Sequence, residues 1–116
     1  MRAYVALLTL VALTIGSFAG EIRTGGTMQV KANSIWFQDS ALLTRWQQLK
    51  KSGDSRKLKA YEDKELSQRD AWQFVTQLPV KVLRYDPSDQ QVHVEMTTPG
   101  RMLGTKWFVD AGALLQ

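Results

Sequence analysis

Histidine chemistry in this 116-residue chain would have to run through His93, because it is the only histidine and there is no cysteine. A histidine base needs a hydroxyl or thiol to activate and an acid to orient it. Spacing places neither beside His93, which sits on the polar parity of a strand and reads as structural or solvent-exposed. One histidine without cysteine must lean on carboxylates to hold a metal, and no ligand-spaced acidic cluster occurs. Asp86, Asp89, Glu95 and Asp110 could supply a glycosidase-type pair. They stand in turns and at strand ends, where solvation and turn bonding account for them. Glu62-Asp63-Lys64-Glu65 reads as a solvated helix face, and Gly25-Gly26, with no helix pattern after it, is no phosphate loop. Neither catalysis nor a metal or cofactor is expected.

Binding is the chemistry that remains. Lys50, Lys51, Arg56, Lys57 and Lys59, relieved only by Asp54, form either a solvated interhelix loop or a patch for an anionic partner. The aromatic residues must mostly build the core of so small a chain. Neighbours on a strand point to opposite faces, so one member each of Trp36/Phe37 and Trp107/Phe108 should lie outward unless a helix covers it. The expected contact surface is Trp36 or Phe37 with Phe108, flanked by Lys50, Lys51, Arg56 and Lys57.

These residues are positioned by strands and a helical stretch. Met28 to Phe37 reads as a first strand ending in Ile35-Trp36-Phe37. Asp39-Ser40 offers a helix N-cap, and Leu42, Leu43, Trp46 and Leu49 share one helical face. Gly53 stops that helix, with Lys50 and Lys51 at its negative end. Asp54-Ser55 can cap a second helix through Leu58, Tyr61 and Leu66. Trp72 to Val75 reads as a short strand.

The stretch from Leu78 to Leu115 organises the chain. Val80 and Val82 alternate with Lys81, after which Leu83 and Tyr85 fall on the opposite parity. Such a slip suggests a bulge or strong coiling of the kind small closed barrels need. Asp86-Pro87-Ser88-Asp89 is a turn, and Val92, Val94 and Met96 then alternate with His93, Glu95 and Thr97. Thr98-Pro99-Gly100 breaks that strand before a last one through Trp107-Phe108-Val109. Three hairpin-linked strands fit a small antiparallel barrel better than a parallel sheet.

Val80-Lys81-Val82-Leu83, Val92-His93-Val94, Gly104 and Phe108-Val109-Asp110-Ala111 with Leu114 resemble the second half of a bacterial SH3-like domain. The likeness spans roughly the last third of the chain. It departs from the family at Trp107, where a glycine commonly precedes the aromatic. The resemblance implies a mainly β fold with an α insertion: a small SH3-like antiparallel barrel with one or two helices (residues 40–66) after the first strand. It also implies Val109 and Leu114 as core, Phe108 as a half-exposed aromatic, and binding of cell-wall peptides or proteins.

Arg2, the uncharged apolar run Ala3–Ile15 and Ser17-Phe18-Ala19 form a signal-peptide pattern, with cleavage expected before Gly20. Residues 1–19 are thus expected to be removed, leaving one domain over 20–116 that starts with a flexible leader (20–27). The apolar run is shorter than the roughly 20 residues of a spanning helix, so no membrane span is expected after cleavage. The formal net charge is +4, and the chain stays basic without Arg2. In an exported protein nucleic acid is a poor partner. The expected one is an envelope protein or a cell-wall polymer in a periplasmic or secreted setting. A small accessory subunit of an envelope or secretion assembly, or an inhibitor of a secreted hydrolase, is the alternative.

Overall fold

The computed structural model describes residues 21–115; the expected signal peptide lies outside them. The chain runs β1 (Thr27–Val30), β2 (Ile35–Phe37), α1 (Ser40–Ser52), α2 (Ser55–Ser67), β3 (Ala71–Gln73), β4 (Leu78–Asp86), β5 (Gln91–Met96) and β6 (Lys106–Asp110), then a 3-10 turn over Ala111–Ala113. All strands join one antiparallel sheet in the order β1-β4-β5-β6-β2-β3. The fold is mainly β with a helical insertion. Its strand ladder does not close, and β1 and β3 are its edges. The C-terminal residues partly cover β1: Val30 bridges Leu114, Lys31 N–H donates to the Ala113 carbonyl at 2.8 Å, and Leu115 N–H to that of Gln29 at 2.9 Å.

Three sequence expectations need correction. Met28 to Phe37 is two strands, because Asn33 adopts a left-handed φ of 66° and turns the chain between them. The helices therefore follow the second strand. The leader is also tied down at its end. Gly25 N–H donates to the Val82 carbonyl at 2.7 Å and Val82 N–H to that of Gly26 at 2.9 Å, so sheet pairing begins before Thr27.

One face of the sheet buries Val80, Val82, Val92, Val94, Met96 and Val109 together with Trp36 and Trp107, closed off by Val30, Ala111 and Leu114. The parity slip in β4 is a register shift between Val82 and Arg84 opposite β5. One extra residue there lets Tyr85 resume the inner face opposite Val92, where it packs on this cluster. The other face carries the helical hairpin. Leu43, Trp46 and Leu49 of α1 bury Ile35, Phe37 and Ala71, with Leu58 and Tyr61 of α2 packed alongside. Gly53, at φ 77°, ends α1 and donates to the Lys50 carbonyl at 3.3 Å. Asp54 caps α2 by accepting from Lys57 N–H at 3.0 Å. The Tyr61 hydroxyl donates to the Leu42 carbonyl at 2.8 Å and ties the helices together. Burial, reinforced by the negative Glu65, pushes that phenol up to about 12.

Candidate functional site

Two concave regions flank α1. The first, about 470 Å³, lies between the C-terminal half of α1 and the β4–β5 turn. Trp46, Lys50 and Lys51 form one wall, and Asp89, Gln90 and Asp110 the other. A side-chain network fixes those walls. Gln47 Nε2 donates to the Asp89 carbonyl at 3.0 Å, to that of Gln90 at 3.2 Å and to Asp110 Oδ1 at 2.8 Å. Gln91, 5% exposed, accepts from Ser40 Oγ at 2.6 Å and donates to Thr44 Oγ1 at 2.8 Å and Gln47 Oε1 at 3.2 Å. The Lys50 ammonium lies 4.8 Å from the Trp46 ring centroid, in cation–π range. Trp46 Nε1 in turn donates to Glu62 Oε2 at 2.7 Å.

The second region, about 350 Å³, opens at the start of α1 and includes Ser40, Arg84, His93 and Phe108. His93 and Phe108 are cross-strand partners, and their rings stack with centroids 4.2 Å apart and planes within 4°. Desolvation first, then the positive Lys106 and Arg84, holds the His93 imidazole below its usual range. Asp86 and Asp89 border the same cleft. The sign of the linkage follows. An unfolded chain protonates His93 near 6.5, before the folded chain does. Stability contributed by neutral His93 is therefore complete above about pH 6.5 and declines as pH falls through the gap between the two values. Melting temperatures measured from about pH 7 to pH 5 should drop in the wild type and drop less in His93→Gln. Parallel curves would mean His93 feels no such field.

The expected contact residues are not brought together. Trp36 and Phe37 are 1% and 0% exposed, so neither is a surface residue. Alternation permits that because the sheet has a core on both faces: Trp36 faces the valine cluster and Phe37 lies under the helices. Trp107 is buried, and Phe108 is half-buried against Phe37 and His93. Lys50 and Lys51 are exposed and line the groove, while Arg56 and Lys57 are exposed at the start of α2 and do not line it. The acidic run is only partly a solvated face: Asp63 and Lys64 are exposed, whereas Glu65 is buried with no hydrogen-bond partner for Oε1. The exposed aromatic is Trp72, stacked on Phe74 at 6.5 Å on the edge strand β3. Trp72 flanks a short strand with a single neighbour, and that pairing was the signal missing from the sequence.

Among the described residues no group of three or more His, Asp or Glu side chains is placed to hold a metal ion, and no helix is long and apolar enough to cross a membrane. Fold and site together define a class: a small antiparallel β protein with a helical hairpin docked on one sheet face and a groove framed by that hairpin. Comparison with family models, with curated proteins and with solved structures returned no match.

Proposed function

We propose that this protein is an exported, non-catalytic binding module of the bacterial cell envelope, working in the periplasm or outside the cell. In this reading the sheet is an SH3-like barrel carrying a helical hairpin, and it recognises an envelope protein or cell-wall polymer through the groove beside α1. The barrel reading is supported by the 3-10 turn that carries Leu114 back onto β1 and by the single valine-rich core. The observation that carries the binding reading is the groove itself. Its walls are cross-linked by Gln47 and Gln91, and two exposed lysines are held at its rim. Pre-organised walls reduce the ordering cost of binding. The stacked setting of His93 on Phe108 supports a structural role for that residue.

Lys50→Glu with Lys51→Glu tests the groove, since both side chains are exposed and their reversal leaves the core alone. Affinity for an envelope partner identified by cross-linking and mass spectrometry should fall about tenfold or more at low salt, and the difference should shrink as salt rises. Unchanged affinity at low salt would rule the groove out as the contact. A second reading, an accessory subunit of a larger envelope assembly, is favoured by Trp72 and Val75, which are 39% and 77% exposed beside the open edge of β3.

A further inference from the structure

The helical hairpin covers only part of the outer sheet face. It sits over β2, β3 and β6, and α1 reaches β5 through Gln91, the first residue of that strand. Beyond it, two cross-strand rows are open. Lys81, Glu95 and Lys106 form one in register, and Arg84, His93 and Phe108 the other. Lys81, Arg84 and Lys106 are exposed. The ion pairs found among the described residues, Arg23–Glu21 and Lys59–Asp63, involve none of them. Glu95 is the one acid in these rows, and the next row, Asp86, Gln91 and Asp110, carries the acids toward the groove. The face is therefore cationic over an extended strip. Lys81 and Lys106 stand two strand spacings apart, roughly 10 Å, with Arg84 further along β4.

We propose that this open face of β4, β5 and β6 binds a linear phosphate-bearing polymer along Lys81, Arg84 and Lys106, independently of the groove beside α1. Charge complementarity selects the occupant. Ammonium groups and a guanidinium fork suit phosphate oxygens, and a repeating anion can meet all three cations at once. Other partners fit less well. Bases need open aromatic faces, whereas His93 and Phe108 are half-buried and stacked on each other. A membrane surface favours projecting apolar side chains. The strongly exposed ones, Trp72, Val75, Leu103 and Leu115, stand outside these rows, and Trp72 pairs with Trp36, which faces the valine core.

Long-chain polyphosphate is the probe, titrated against the protein at several salt concentrations. Three phosphate contacts predict a loss of affinity of about 40-fold for a fourfold rise in salt. Replacing Lys81, Arg84 and Lys106 together by glutamine should weaken binding about tenfold or more and flatten the salt dependence, while Lys50→Glu with Lys51→Glu should leave both unchanged. If the triple variant fails to fold, each single variant should lower the salt slope by about one unit. Variants that bind as the wild type does would overturn the proposal. So would single-stranded DNA binding more tightly than polyphosphate, or anionic vesicles capturing the protein when polyphosphate does not.

Discussion

Phe37→Ala should cost about 3–5 kcal/mol, the range for deleting a buried aromatic ring from a core. That is a large share of the roughly 5–15 kcal/mol that holds a small domain folded. The ring is 0% exposed and lies between Trp46 and Tyr61, at centroid distances of 6.3 and 6.4 Å. Little can collapse into the space, because the sheet is on one side and both helices are on the other. Chemical denaturation should show the loss directly. Phe108→Ala, at the half-buried partner position, should cost clearly less. A Phe37→Ala protein as stable as the wild type would mean that the hairpin does not sit on β2.

Gln91→Leu should destabilise by about 1–3 kcal/mol, despite placing an apolar side chain at a buried site. The substitution removes the acceptor for Ser40 and the donor to Thr44 and Gln47, and it leaves Gln47 Oε1 without that partner. These bonds join α1 to the first residue of β5, so the loss should concentrate there. Amide exchange should speed up along α1 while the amides of Val92, Val94 and Val109 stay protected. Uniform acceleration would show that the hairpin and the valine core open as one unit. Gln91→Leu equal to the wild type would show that the network contributes nothing net.

The valine core was legible because its signal is local. Val80, Val82, Val92, Val94 and Val109 announce their face by period two, and the slip at Leu83 announced the bulge. Both helices were legible at their ends, from Gly53 and Asp54. The site was less so. Whether Trp36 and Phe37 can both be buried depends on what covers the second face, a fact that no strand pattern contains. Gln91 and Gln47 gave no sign of a network, since their partners lie more than forty positions away or across a helix. Glu65 looked solvated beside Asp63 and Lys64, and only the packing of α2 against α1 and β3 turns it inward. The open cationic face was hidden for the same reason. Lys81, Arg84 and Lys106 are scattered in sequence and become neighbours only through cross-strand register.

Phe37 and Ala71 are register partners, and Gln38 N–H donates to the Asp70 carbonyl at 3.0 Å. The chain thus leaves the sheet and re-enters it at one point, after an excursion containing both helices. In evolutionary terms the hairpin is a cassette. Its removal would ask β2 and β3 only for a short turn and would leave every valine of the inner core in place. The cassette nonetheless has a footprint, because Ile35, Phe37, Ala71 and Phe108 lie beneath or beside it. A related chain without the helices must therefore carry polar residues at those four positions. Finding that paired change in a shorter sequence would mark it as kin where overall identity does not.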